Sequence, residues 1–309
     1  MSAIITQSND VSKASNLVLL VNDKTDWKSV SNIVSADLAK TAQAKFKQKV
    51  NPFVLNSGSE VLYIINVEGK GEQWQIDESA RKFGYQISRS INGNKLDSVA
   101  VSNATGITTV IKSFLEGLAL SNYSFLKYVT KEKNEKSLKK ILVDKSSLTK
   151  AAVDELNIVV DAVYRAKTLV NEPVMFLTAV QLGAEIKAMA KEAGIKAEVF
   201  DKKKIESLKM GGLLSVNKGS QDPPTFSVIE YKPAKHKNKQ PIVLVGKGVV
   251  YDTGGLSLKP TGNSMDQMKC DMAGAACVTA TIYAAAKAKL PLHIVALVPA
   301  TDNRPGEIA

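Results

Sequence analysis

Short aliphatic runs alternate with amphipathic stretches in the first half of the chain. Residues 17–21, 61–67 and 98–101 are rich in aliphatic and β-branched side chains and have polar neighbours, which predicts buried strands. Residues 27–47, 77–89 and 108–128 have the mixed apolar and polar spacing of helices. Strands that alternate with helices are typical of an α/β domain, so we expect one here.

A change of composition divides the chain into two parts. Residues 131–140 are almost wholly charged, and a brief apolar run and a second polar stretch follow them. A helix then begins near Ser147 and runs to about residue 170, where Asn171 and Pro173 stop it. We place the boundary at residue 146, which gives a smaller α/β domain over 1–146 and a second domain over 147–309 that begins with the linking helix.

The second half also alternates strands and helices. We predict helices at 178–193, ended by Gly194, at 205–210, before a turn at Gly211 and Gly212, and at 271–289, closed by Pro291. Strands are expected at 195–200, 226–231, 242–245 and 292–298. The runs 242–245 and 292–298 are aliphatic enough to be central strands of a mostly parallel sheet. In such βαβ units ligands bind beyond the carboxyl ends of the strands, and residues 246–271 fall there.

Composition narrows the class of protein. The 309 residues carry 41 Lys and Arg against 30 Asp and Glu, a net charge of +11 that permits attraction to nucleic acid. Most of the excess is scattered lysine, and residues 131–140 have no interleaved aromatic side chains, so solvated surface is the favoured interpretation. Two cysteines, no secretory signal pattern and no apolar run of membrane-spanning length predict a soluble cytoplasmic protein without membrane partners.

The most specific chemistry lies in residues 246–271, GKGVVYDTGGLSLKPTGNSMDQMKCD, which hold three lysines and three aspartates. A phosphate-binding Walker loop is a poor match, because Pro241 and Gly248 stand where it needs glycine and a hydroxyl residue. A metal site fits better, since carboxylate oxygens with one nitrogen suit Zn²⁺, Mn²⁺, Mg²⁺ or Co²⁺. Its candidate ligands are Lys247, Asp252 and Asp271.

Each of these residues also has an ordinary structural interpretation. Asp271 could be a helix N-cap, Lys247 and Lys259 could be solvated, and Met268 could be a core residue. Four further polar residues are expected to have no role in the site: the histidines His236 and His293 should be structural, and Asp266 and Lys269 should be exposed.

The segment GKGVVYDTGGLSLKPTGNSMDQMKCDMAGAA resembles the metal-binding signature of the leucyl aminopeptidase (cytosol aminopeptidase) family of two-metal exopeptidases. Supporting matches are EGLALSNYSFLKY at 116–128, LVNEP at 169–173, MGGLLSVNKGSQDPP at 210–224 and NRPGEI at 303–308. The resemblance covers roughly residues 106–309. It implies that 147–309 is a catalytic metallopeptidase domain and that the substrates are peptides.

The resemblance also implies roles for individual residues. Asp252 would bridge two divalent ions, Zn²⁺ or Mn²⁺, while Lys247, as a neutral amine, and Asp271 would ligate one of them. Lys259 would stay cationic, polarise the scissile carbonyl and stabilise the tetrahedral intermediate. Met268 would line the pocket for the first side chain of the peptide, such as leucine. A homohexamer built from trimers is the implied assembly.

Two departures from the family pattern change the expectation. The family's later motif NTDAEGR, which supplies further metal ligands, does not occur in these 309 residues, and the stretch from Lys259 to Asp271 is one residue longer than in the commonest form. We therefore expect the 309-residue chain alone to have little or no activity and to be part of a longer polypeptide. The rival hypothesis is a non-catalytic binding or assembly protein on the same scaffold, using its positive charge to contact nucleic acid.

Overall fold

The computed structural model describes residues 3–57, 60–67, 71–131 and 134–306. The chain forms two compact units, Met1–Val160 and Asp161–Ala309. This division falls inside the long helix of residues 150–171, whereas the sequence places the boundary before that helix, at residue 146, which stays a prediction about domain organisation. Residues 132–133 of the charged run and 307–308 of the NRPGEI match lie outside the described residues.

The first unit contains a six-stranded sheet in the order β1-β6-β5-β2-β4-β3. Neighbouring strands are parallel except β3 and β4, which pair in antiparallel register. β2 lies near the centre, and its residues 17–21 are all buried, as their continuous aliphatic run predicts. The strands are β1 Ile4–Ser8, β2 Asn16–Val21, β3 Phe53–Ser57, β4 Glu60–Asn66, β5 Ser98–Asn103 and β6 Lys140–Asp144.

The helices of the first unit are α1 Trp27–Val30, α2 Ala36–Lys47, α3 Gln73–Gly93 and α4 Thr108–Leu120, and α5 Lys150–Asn171 follows. The single helix predicted at 27–47 is two helices, because the Ser35 side chain caps a new start by accepting from the backbone N–H of Leu38. The helix predicted at 108–128 ends at Leu120. The strand predictions at 17–21, 61–67 and 98–101 are confirmed by β2, β4 and β5.

The second unit contains a five-stranded mixed sheet. β9 and β10 lie one after the other along one edge of β11, and β8 and β7 follow on its other side. Only β8 runs against the direction of the other four, so the predicted α/β fold with a mostly parallel sheet is confirmed. The strands are β7 Lys196–Phe200, β8 Thr225–Tyr231, β9 Ile242–Val245, β10 Gly248–Asp252 and β11 Ile294–Asn303.

The helices of the second unit are α6 Ala179–Ala193, α7 Lys202–Ser207, α8 Gly211–Asn217 and α9 Ala273–Lys287, with a 3₁₀ helix at Met265–Cys270. α6 begins and ends as its sequence predicts, with Thr178 as N-cap and Gly194 in the left-handed conformation at φ 69°. Side chains of α6, α9 and β11 share one apolar core that includes Leu182, Ile186, Ala276, Ala296 and Val298.

Three sequence predictions for this unit are wrong. Among the described strands β9 pairs only with β11, so here it lies at an edge of the sheet and not at its centre, and its Val243 and Val245 side chains are exposed. Gly211 and Gly212 begin α8 instead of forming a turn. Asp271 is not the N-cap of α9, because it closes the preceding 3₁₀ helix and α9 starts at Ala273.

Over the described residues, the helices lack the length and apolarity that a membrane crossing requires.

Candidate metal centre

The backbone between β9 and β10 lies against the start of α9. A Cβ atom on Gly246 would be 2.7 Å from the carbonyl oxygen of Gly274 and 2.8 Å from Cα of Ala275, so only glycine allows this approach. The backbone N–H of Ala275 donates to the carbonyl of Lys247 at 2.9 Å. Lys247 is therefore fixed where the edge strand passes the first turn of the helix.

Lys247 and Asp271 form the first of two ion pairs. Lys247 Nζ lies 2.7 Å from Asp271 Oδ2; the lysine side chain is 57% exposed and the aspartate side chain only 19%. Oδ2 is itself buried, and although the ammonium is within ion-pair distance, no donor is directed at this oxygen with the geometry of a hydrogen bond. Asp271 thus presents a buried carboxylate oxygen that a cation could still occupy.

Lys259 and Asp252 form the second pair at the end of β10, with Nζ 2.6 Å from Oδ2. The other oxygen, Oδ1, accepts from the backbone N–H of Gly254 at 2.9 Å and from Asn303 Nδ2 at 2.7 Å. Burial acts to raise the pKa of Asp252, but the hydrogen bonds from Lys259, Gly254 and Asn303 outweigh it and hold the pKa below its ordinary value. Asp252 is consequently an ionised, oriented carboxylate.

A tight double-glycine turn brings Lys259 back to Asp252. Gly254 and Gly255 have φ angles of 89° and 66°, which residues other than glycine rarely adopt. The backbone N–H of Lys259 then donates to the carbonyl of Thr253 at 2.9 Å. The loop is short because these two residues reverse it, and the lysine side chain returns to the strand end.

The 3₁₀ helix Met265–Cys270 connects the two pairs. Lys259 Nζ contacts the sulfur of Met268 at 3.2 Å, and Asp271 directly follows the helix. The structure therefore places Lys259 against both Asp252 and Met268, and Lys247 against Asp271. Their roles in catalysis and metal binding stay predictions.

Three residues outside the predicted set are informative. Lys269, expected to be exposed, is half-buried and donates to the carbonyls of α5. Asn303, which sequence reasoning did not single out as a partner of Asp252, lies in the NRPGEI match that could have indicated it. His293 Nε2 lies 2.9 Å from Glu230 Oε1, as suits a structural histidine.

The donor set decides which ions could bind. Nowhere in the described ranges do three side chains of His, Cys, Asp or Glu come together as a metal cluster. The candidate centre instead offers two carboxylates and a lysine, each carboxylate already facing a cationic ammonium group. Hard oxygen donors with one nitrogen fit divalent ions of the Zn²⁺ or Mn²⁺ type, so the residues are compatible with the metals implied by the sequence.

A cavity of about 680 Å³ lies elsewhere, in the first unit, beside the carboxyl ends of β2 and β5. None of its lining residues belongs to the predicted site; they include Asn22, Asp23, Lys24, Asn103 and Thr105. Cavity size therefore does not locate the predicted chemistry, and the arrangement of charged groups is the better guide.

Comparison with known proteins bears on the second unit first. Residues 164–309 match the sequence profile of the cytosol aminopeptidase family, catalytic domain. This segment belongs to the cytosol aminopeptidase family. The matched segment includes all five predicted site residues: Lys247, Asp252, Lys259, Met268 and Asp271.

Curated relatives extend the similarity. A probable cytosol aminopeptidase of Chlorobaculum tepidum is 57% identical over 142 residues, which are 46% of this chain and 28% of that protein. One of Clostridium tetani is 33% identical over 267 residues, 82% of this chain and 55% of that protein. One of Chlorobium limicola is 35% identical over 259 residues, 77% and 51%. Even in these longer matches, the chain spans only about half the length of its relatives.

Solved structures share the fold. A mutant tomato leucine aminopeptidase superposes with a TM-score of 0.79 at 17% identity, over 99% of this chain and 64% of that chain. The bottromycin maturation enzyme BotP in complex with Mn gives a TM-score of 0.77 at 23% identity, over 96% and 61%. At these identities the likeness establishes the α/β architecture alone.

Proposed function

We propose that this chain is part of a metal-dependent aminopeptidase of the leucyl type, which removes N-terminal residues from peptides. The support is the family membership of residues 164–309 together with the two lysine–aspartate pairs that those residues hold. The observation that carries the proposal is the buried Oδ2 oxygen of Asp271, which has an ion-pair neighbour but no hydrogen bond.

Lys247, Asp252 and Asp271 are the proposed ligands of two divalent ions, Zn²⁺ or Mn²⁺; the BotP neighbour was solved with Mn. Two such ions, when bound, supply a water of lowered pKa and polarise the peptide carbonyl. Lys247 can ligate only as a neutral amine. Asp252 is already held ionised by its hydrogen bonds, which is the state that a ligand needs.

Lys259 is the proposed catalytic residue. Its ammonium is held at the end of β10 by Asp252, close to where the proposed ligands lie. With the Asp252 carboxylate holding a cation, the Lys259 ammonium would donate to the substrate carbonyl and stabilise the negative charge that develops on its oxygen. Met268, in contact with Lys259, supplies an apolar, adaptable wall for a leucine-like first side chain.

The test is hydrolysis of leucine amide by the full-length protein with added Mn²⁺ or Zn²⁺. Lys259→Ala should lower kcat by about 10²- to 10³-fold or more, because it removes a charge that stabilises the transition state. The same variant should still bind Mn²⁺, since Lys259 is not a proposed ligand. Lys239→Ala, which removes an exposed lysine of the same unit, is the matched control. Unchanged turnover in Lys259→Ala would end the proposal.

The proposal also covers the activity of the 309-residue chain alone and the assembly of the protein. The ligands supplied by the described residues are few for two ions, so the 309-residue chain alone should turn over leucine amide poorly. We also propose a cytoplasmic homohexamer acting on peptides. Light scattering coupled to size exclusion would test the assembly, and a monomer would contradict it.

A further inference from the structure

The third lysine of residues 246–271 is used differently from the other two. Lys247 and Lys259 each pair with a carboxylate, whereas Lys269 Nζ donates to two backbone carbonyls of α5, that of Val170 at 3.0 Å and that of Asn171 at 3.2 Å. The two contacts join positions about a hundred residues apart in sequence but inside one compact unit. A solvated surface lysine would not make them.

The end of α5 is a favourable place for such a donor. The last carbonyls of an α-helix have no N–H partner within the helix, and the negative end of the helix dipole lies there. An ammonium group carries three N–H donors and a positive charge, so one lysine can serve two neighbouring carbonyls.

The 3₁₀ helix that carries Lys269 is tied to the preceding loop at its start, where the backbone N–H of Met265 donates to the carbonyl of Pro260 at 3.0 Å. Such helices are short and have poor hydrogen-bond geometry, and Ser264 at the start of this one makes no side-chain cap. Met268, which touches Lys259, precedes Lys269, and Asp271 lies two positions after it. Anything that fixes Lys269 therefore also fixes the sulfur and the carboxylate beside it.

We propose that Lys269 is a positioning residue: by capping the last carbonyls of α5, its ammonium holds the 3₁₀ helix so that Asp271 and Met268 face the metal centre. This inference rests on the proposed function, because it assigns Lys269 an effect on a metal ligand. It adds an anchor that lies outside the set of ligands, and it explains why a third lysine stands in this segment.

The experiment is a calorimetric titration of the full-length protein with Mn²⁺ at a temperature well below its unfolding transition. Lys269→Met keeps the length and apolar stem of the side chain and removes all donors, and it should weaken Mn²⁺ binding by about 10- to 100-fold, as loss of a ligand's outer support does. Lys269→Arg keeps donors and charge and should restore affinity to within about 3-fold of the parent. Lys239→Met removes an exposed lysine of the same unit and should change nothing.

Circular dichroism and thermal unfolding of each variant separate positioning from stability. If Lys269→Met melts earlier but binds Mn²⁺ as tightly as the parent, the residue is merely structural and the inference fails. If that variant does not fold, Lys269→Gln, which retains a shorter neutral donor, must bind more weakly than the arginine variant; equal binding also overturns the inference. A parent protein that binds no Mn²⁺ would instead refute the proposed function and this inference with it.

Discussion

The loops that follow the carboxyl ends of the strands differ between the two units: neutral hydrogen-bonding groups join them in the first unit, and ion pairs join them in the second. In the first unit, the loops after β2 and β5 are joined by neutral groups: Asn22 Nδ2 donates to the carbonyl of Thr105, and Thr25 Oγ1 donates to that of Ala104. In the second unit, the loop after β10 and the segment before α9 carry two lysine–aspartate pairs. Both regions occupy the position where α/β sheets bind ligands.

The two regions also differ in whether their polar side-chain atoms have hydrogen-bond partners. Asn22 also accepts, through Oδ1, from the backbone N–H of Lys24 at 3.0 Å, so its amide is used on both sides. Asp271 Oδ2, in contrast, is buried beside an ammonium without a directed donor. Buried polar atoms that lack hydrogen bonds are rare and costly, and they call for a specific explanation. The neutral groups of the first region thus hold its loops together, whereas the second region keeps a buried carboxylate oxygen that makes no hydrogen bond.

Removing the charge of Asp271 should give the largest effect on binding. A ligand's outer support is worth about 10- to 100-fold in metal affinity, so loss of a ligand itself, in Asp271→Asn, should exceed about 100-fold in a Mn²⁺ titration. The matched control is Asp266→Asn, which removes an exposed carboxylate from the same 3₁₀ helix. Similar losses in both variants would show that net charge, and not a site, governs the binding.

The first unit should respond in stability and not in metal affinity. Asn22→Ala leaves the carbonyl of Thr105 and the N–H of Lys24 without their partner, which should lower the free energy of unfolding by about 1–3 kcal/mol in urea titrations. Asn32→Ala, an exposed amide of the same unit, should change it by less than about 0.5 kcal/mol. Weaker Mn²⁺ binding in folded Asn22→Ala would erase the contrast between the two regions.

Local signals in the sequence predict the elements that depend on neighbours along the chain. Thr178 and Gly194 fix both ends of α6, and the aliphatic run at 17–21 predicts the buried strand β2. Such signals act within one or two turns of the chain, through caps and side-chain periodicity. That is why these elements are confirmed almost to the residue.

Elements that depend on distant partners are the ones that sequence analysis misses. The sequence does not predict β10, whose residues from Gly248 onward pair with the end of β11. The apolar run of β9 reads as a central strand, yet among the described strands β9 pairs only with β11. Whether a strand is central or at an edge cannot be predicted from its own composition, because its pairing depends on strands about fifty residues away in sequence.

In the candidate site, too, the residues could be predicted from the local sequence but their contacts could not. Lys247, Asp252, Lys259, Met268 and Asp271 could be named from the sequence because they stand in one segment. Their pairing could not, since it depends on the double-glycine turn and on where the 3₁₀ helix lies. The use of Lys269 as a helix cap was equally hidden, because its partners are backbone carbonyls, which leave no mark on residue identity.

The most direct test of the account is anomalous scattering at the manganese edge from crystals of the full-length protein grown with Mn²⁺. We expect anomalous density within ligand distance of the Asp252 and Asp271 carboxylates and of Lys247 Nζ, with the pairing of Lys259 to Asp252 changed. Both lysine–aspartate pairs intact, with no anomalous density beside them, would contradict it.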